Sequence, residues 1–388
     1  MSKANYPIQK FENLQTPFYY YDLEVLRATI GELRRHADTN NFHIHYALKA
    51  NNNPAILHEV KNAGFGADCV SGGEVQLAID SGISPDKIVF AGVGKNDWEI
   101  NLGLDHNIFC FNVESIPELE IINELAGKKQ KTAQVALRIN PNVNAHTHHY
   151  ITTGLTENKF GINMSELDSV LELFPSLENV KLVGVHFHIG SQITDMTSFQ
   201  GLCVRVNEIQ EYFDNRRIAL EHINVGGGLG IDYEHPNHFP IPDFDTYFNI
   251  FRTKLKLRPH QTLHFELGRS IVGQCGSLIS RVLYIKQGTT KQFAILDAGF
   301  NDLIRPTLYQ AYHKIENLTS DEAEEKYDVV GPVCESADVF AKSCSLNKTK
   351  RGDIIALRSA GAYGETMASQ YNMRKLPKVY TSDEISLL

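Results

Sequence analysis

The chain has 388 residues, 46 acidic and 37 basic, for a net charge of −9, with 42% hydrophobic and 21% charged residues. That balance excludes a disordered or low-complexity polymer, and the acidic excess argues against nucleic-acid binding, which needs clustered Lys and Arg. Length predicts two domains, or one large barrel with a smaller partner.

The N-terminal stretch, MSKANYPIQKFENL, is polar and lacks the apolar core of a signal peptide. Strand-like runs then alternate with helical stretches. The strands fall at 42–49, 65–70, 87–91, 107–112, 133–139, 181–189, 221–225 and 262–267. Helices are predicted at 54–64, 73–82, 115–127 and 165–174. The first two end in Gly, the third opens with Ser-Ile-Pro-Glu, and the fourth opens with the capping pair Ser165 and Asp168. Eight strand–helix units over about 225 residues match a (β/α)8 barrel of the TIM type. An open doubly wound sheet is the alternative. No G-x-G-x-x-G opens the first turn, which disfavours its dinucleotide-binding form.

Beyond residue 275 the rhythm changes to strands joined by turns. The expected organisation is a barrel over 25–275 and a β-rich domain built from 1–24 and 276–388. The acidic segment 318–327 reads as a solvated loop or short surface helix. No apolar run approaches the roughly 20 residues of a membrane span. The six cysteines are scattered without a C-x-x-C pair, which predicts neither a metal site nor a disulfide framework and suits a cytoplasmic protein.

Period-two alternation sorts the strand residues by face. It aims His43, His45 and Lys49, then His186 and His188, then His264 and Glu266 inward, with Arg138 near its strand end. Barrel enzymes assemble their sites at the C-terminal strand ends, so Lys49, Arg138, His188 and Glu266 converge there. The seventh strand runs into Gly226-Gly227-Gly228-Leu229-Gly230 and the eighth into Glu266-Leu267-Gly268-Arg269. Loops after those strands are the usual phosphate cradle of this fold, because glycine lets backbone N–H groups approach an anion. A phosphate cradle, an inward Lys and an inward Glu fit pyridoxal 5′-phosphate: Lys supplies a Schiff base, and a carboxylate keeps the ring nitrogen protonated.

Six motifs, in order along the chain, carry a resemblance. They are Tyr46-Ala47-Leu48-Lys49-Ala50-Asn51, His188-Ile189-Gly190-Ser191-Gln192, Gly226 to Gly230, Glu266-Leu267-Gly268-Arg269, Cys334-Glu335-Ser336 and Gly361-Ala362-Tyr363-Gly364. Together they resemble the diaminopimelate decarboxylase family of pyridoxal-phosphate enzymes, which have an alanine-racemase-like barrel. The resemblance implies that Lys49 carries the cofactor, His188 stacks on its ring and Glu266 contacts the ring nitrogen. It places Gly227, Gly228, Gly268 and Arg269 at the phosphate. Arg269, Arg305 and Tyr309 would hold the substrate carboxylate, Tyr363 would touch both cofactor and substrate, Glu335 would meet the distal ammonium, and Cys334 would return a proton. It also implies a homodimer sharing its sites, and the reaction of meso-2,6-diaminopimelate to L-lysine and carbon dioxide. Sister decarboxylases acting on carboxynorspermidine, ornithine, lysine or arginine are the alternative. Leu267 replaces the family's usual Pro, and the loop 190–200 is a candidate lid.

Overall fold

A computed structural model describes residues 6–143 and 159–387; the first five residues of the expected N-terminal segment lie outside it. The chain divides into two compact units. A barrel unit comprises Ile30–Gly230 and Asp243–Gly268. A sheet unit comprises Met1–Thr29, Ile231–Pro242 and Arg269–Leu388.

Strand β1 is Phe18–Tyr21. The barrel strands are β2 Phe42–Ala47, β3 Gly66–Cys69, β4 Ile88–Phe90, β5 Cys110–Val113, β6 Ala133–Arg138, β7 Val180–His186, β8 His222–Asn224 and β9 Thr262–Leu267. They pair in that order, all parallel, and close when β9 meets β2 with Phe42 opposite Leu263 and Tyr46 opposite Leu267. Each expected barrel strand is present. Short parallel strands buried on both faces need a covering helix after each, and the helix starts carry their caps. Asn53 accepts from the Ala55 N–H, Ser71 from Glu74 and Ser115 from Glu118. The helix expected at 165 differs: Asn163 and Glu166 form the capping box on a 3-10 turn, and the α-helix begins at Leu167.

Alternation sets the packing. Phe42 and Phe265 point outward, where Phe265 packs edge-on against Phe248 and Phe251 of the helix Phe244–Lys254. His43, His45 and His264 point inward and stack, with centroids 4.6 Å apart for His43–His264 and 5.1 Å for His45–His264.

The sheet unit holds β10 Gly276–Gln287, β11 Gln292–Leu296, β12 Ile315–Asn317, β13 Glu324–Val330, β14 Val339–Asn347, β15 Ile354–Leu357 and β16 Lys378–Thr381. The order is β12-β15-β10-β11-β13-β14, with β1 antiparallel to β10 and parallel to β16. The N-terminal strand thus joins a sheet made of the last third of the chain. Phe11, Phe18, Tyr20, Ile279, Leu318, Ile354 and Ile385 form a shared apolar cluster there. The acidic segment 318–327 is not wholly a loop or helix: its last residues open β13, where Glu325 pairs with Leu346 and Tyr327 with Cys344. No described helix is long and apolar enough to cross a membrane.

Candidate active site

In the barrel unit, β2 ends at Ala47 and the chain tightens into the 3-10 turn Leu48–Ala50. Lys49 therefore lies just past the strand rather than on it. Its Nζ donates to Asp68 Oδ2, on β3, at 2.8 Å; the lysine side chain is 36% exposed and the aspartate 0%. Burial, followed by the nearby Glu266 charge, pushes the Asp68 carboxyl up, against the pull of Lys49. Asp68 Oδ1 is buried without a hydrogen-bond partner among the described residues. A buried acid with one committed oxygen facing a half-exposed amine is a site built to hold a cation or a polar ligand.

Glu266, near the end of β9, is buried and accepts from three side-chain donors. Its Oε1 accepts from Asn112 Nδ2 at 3.1 Å and Asn224 Nδ2 at 2.8 Å, and its Oε2 meets His186 Nε2 at 2.9 Å. Burial alone would raise the pKa of Glu266. His186 first, then Lys49 and His188, outweigh it and hold the carboxyl below the usual range.

His188 lies two residues beyond the end of β7, half-buried. Burial, then the Arg138 and Lys49 charges, keep its imidazole far below the usual value, so it is neutral near pH 7. Its Nδ1 lies 3.4 Å from the Gly227 N–H. The glycine run is required by close approach. A Cβ at Gly227 would sit 1.9 Å from the Glu266 carbonyl oxygen, and one at Gly228, where φ is +109°, would sit 2.6 Å from the Gly190 carbonyl. A Cβ at Gly268 would sit 2.9 Å from the Ala50 Cβ. The expected lid loop is stitched to this run: the Ile193 N–H donates to Gly228 O, and the Gly230 N–H to Ile193 O. Arg138 pairs with Glu114 at 2.9 Å and packs over Phe160.

The barrel unit thus brings together Lys49, His188, Gly227, Gly228, Glu266 and Gly268. These residues fit pyridoxal phosphate. There is an amine to carry it, an ionised acid for its ring nitrogen, a neutral imidazole, and backbone bared by glycine for its phosphate.

The sheet unit holds the remaining groups in two places. Arg269 and Arg305 are both buried, and both donate to Tyr233 Oη, at 2.6 and 3.0 Å. Burial would raise the Tyr233 pKa, but the two guanidinium groups lower it overall. Arg305 also meets His313 Nε2 at 2.9 Å, while His313 Nδ1 donates to the Arg358 carbonyl. Arg269 lies over the Tyr363 ring, 4.9 Å from its centroid. Tyr309 ends the helix Arg305–Tyr309, one turn from Arg305. That helix is tied by Thr307 Oγ1 to the Ala337 carbonyl, in the exposed loop of Cys334 and Glu335. Tyr371 donates to Glu335 Oε1 at 2.7 Å, and Asn372 Oδ1 accepts from the Cys334 N–H at 3.5 Å. Asp338 braces the loop by accepting from the Val333 and Phe300 N–H groups.

Asp68, Asn112, Asn224, Tyr233 and His313 escaped the sequence reading. Asp68 and Asn112 lie inside short strands that read as apolar, and Tyr233 sits in an irregular stretch without periodicity. For Asn224 the signal was present, since it lies two residues before the glycine run.

Comparison with known proteins decides the family. A profile described as the pyridoxal-binding domain of pyridoxal-dependent decarboxylases matches residues 27–273. The diaminopimelate decarboxylase of Bacteroides thetaiotaomicron is 65% identical over 99% of this chain and 100% of its own length. This chain belongs to the diaminopimelate decarboxylase family. Pyridoxal phosphate is its cofactor. The crystal structure of the Helicobacter pylori diaminopimelate decarboxylase complexed with L-lysine superposes with a TM-score of 0.89 at 40% identity, covering 96% of this chain and 93% of that one. A lysine/ornithine decarboxylase from Vibrio vulnificus superposes at 0.84 with 22% identity, which shows the shared fold alone.

Proposed function

We propose that this protein removes carbon dioxide from meso-2,6-diaminopimelate to give L-lysine, with Lys49 carrying pyridoxal 5′-phosphate. The observation that carries this reading is the 65% identity, over essentially both full lengths, to a relative named for that reaction. When bound, the cofactor's ring accepts the electron pair left behind as the carboxylate departs. Glu266, held ionised, keeps a proton on the ring nitrogen. His188 stacks on the ring as a neutral group, adding no positive charge of its own. Gly227, Gly228, Gly268 and Arg269 receive the phosphate. Asp68 orients the Lys49 amine.

Arg269, Arg305, Tyr309 and Tyr363 take substrate carboxylate, for which paired planar guanidinium groups are the apt partners. Glu335 meets the distal ammonium, and the Cys334 thiol returns a proton to the carbon that has lost its carboxylate. We read the protein as a cytoplasmic homodimer in which the Cys334–Glu335 loop of one copy serves the other. The exposure of Cys334, and of Tyr371, Met373 (97%) and Leu376 on the stretch whose Asn372 and Tyr371 bind the Cys334–Glu335 loop, supports this, because exposed apolar side chains grouped along one stretch of chain mark interaction surfaces.

The test is to supply purified holoprotein with meso-diaminopimelate, ornithine, lysine, arginine or carboxynorspermidine, and to measure carbon dioxide and amine product. Diaminopimelate should be turned over with L-lysine as product. Preferential turnover of any other substrate would overturn the assignment. Sedimentation should give a dimer, and a monomer with full activity would remove the shared-loop reading.

A further inference from the structure

A carboxylate offers about four acceptor positions, two on each oxygen. On Glu266, three are taken by side chains from three different strands. Both positions on Oε1 are filled, by Asn112 of β5 and Asn224 of β8. One position on Oε2 is filled by His186 of β7. The orientation of Asn224 is fixed by a second partner. Asn224 Oδ1 accepts from the Gly226 N–H at 2.9 Å, so its amide nitrogen must face Glu266. His186 Nε2 faces a carboxylate, so it carries the proton it shares; Nδ1 is buried without a hydrogen-bond partner among the described residues. One acceptor position remains, and it is on Oε2.

We infer that Oε2 is the atom of Glu266 that receives the cofactor's ring N–H, and that His186, by donating to that same oxygen, is a positioning residue that keeps the proton on the ring. This deepens the cofactor assignment above and rests on it. Removing the His186 donor makes Oε2 more basic in a site already desolvated. The shared proton then moves from the ring nitrogen to Oε2, leaving a neutral ring and a neutral carboxyl, with no net change in charge. Asn112 and Asn224 act on the other oxygen and anchor the carboxylate plane. Asn224 also joins the acid to the glycine run through Gly226. The other charged or titratable groups acting on Glu266 are Lys49 with its partner Asp68, His188, His45, His222 and Cys110; all stay in place when His186 is replaced.

The experiment loads the protein with pyridoxal phosphate labelled with 15N in its ring and reads the ring nitrogen's chemical shift at pH 7.5. Wild type should show a pyridinium signal. His186→Leu should move it towards neutral pyridine, while His186→Gln, which restores an N–H donor, should keep most of the wild-type shift. Asn112→Leu, acting on Oε1, should move it less than His186→Leu. A wild-type shift in His186→Leu, or a larger displacement in Asn112→Leu, would overturn the inference. If His186→Leu does not fold, His186→Ala carries the same comparison. The two readings fail separately. A protein that binds no pyridoxal phosphate contradicts the proposed function, whereas a loaded, active protein with an unmoved signal contradicts only this inference.

Discussion

Cys334 is exposed, whereas Cys69, Cys110, Cys203 and Cys275 are buried. A thiol that returns a proton is expected to be accessible, so Cys334→Ala should cut kcat by about 10²- to 10⁴-fold, the usual range for losing a general acid. The cofactor's visible absorbance should remain; unchanged kcat would assign the proton to another group. Arg305 serves two acceptors at once, Tyr233 and His313. Both are met by Nη1, and Lys lacks the further planar N–H groups a guanidinium offers a carboxylate, so Arg305→Lys should raise KM for diaminopimelate by about 10- to 100-fold, the worth of one charge-assisted hydrogen bond. Steady-state kinetics showing an unaltered KM would take Arg305 out of substrate binding. Glu266 was legible from the sequence because strand alternation and position near a strand end single it out; Lys49 was legible from its position at a strand end alone, since it sits in the 3-10 turn after β2 and not on the strand. The partners that tune them were not. Asp68 sits in Gly-Ala-Asp-Cys and Asn112 in Cys-Phe-Asn-Val, and nothing local distinguishes an inward polar group there from a tolerated one.

At the scale of elements, the barrel depends on helices seated by aromatic contacts. Phe265 touches Phe42, Tyr247, Phe248 and Phe251. Phe265→Ala should cost about 3–5 kcal/mol in urea unfolding, as deletions of buried aromatic rings do; a cost within 1 kcal/mol of zero, the scale of a surface change, would show that the helix does not need it. The glycine run makes a sharper demand. Gly227→Ala drives a Cβ into the Glu266 carbonyl, so it should weaken cofactor binding measured by spectroscopic titration. Strands and helix starts were readable because period two, Ser caps and Gly stops are local signals. The start at 165 was misplaced by the competing Ser165–Asp168 pattern, when Asn163 and Glu166 supply the reciprocal hydrogen bonds. The strand opening at Glu324 was hidden because its first residues, Glu324 to Tyr327, pair on one side only, with β14, and their acidic side chains break the apolar alternation that marks a strand.

The whole molecule carries a line of imidazoles through the barrel interior. Thr262 Oγ1 lies 2.8 Å from His264 Nε2, His264 Nδ1 lies 2.8 Å from His45 Nε2, and His45 Nδ1 donates to the Lys87 carbonyl. Burial depresses these groups, His45 to about 4 and His222 to about 3 from the usual 6.5. Their folded values lie below the unfolded value, so the unfolded chain binds more protons between the two. Stability is therefore complete above pH 6.5 and is lost as pH falls from 6.5 towards 4. A melting temperature that is flat over that window would contradict this, and His222→Phe should shrink the slope. The barrel itself was legible from the count and spacing of its strands. The inclusion of Ile231–Pro242 in the sheet unit was not, because it is a non-local choice made by packing. The central claim is that Lys49 bears the cofactor. It is tested most directly by reducing the purified holoprotein with borohydride and locating the pyridoxyl group by peptide mass spectrometry. The account predicts it on the peptide containing Lys49; its appearance on another lysine, with Lys49 unmodified, would contradict the account.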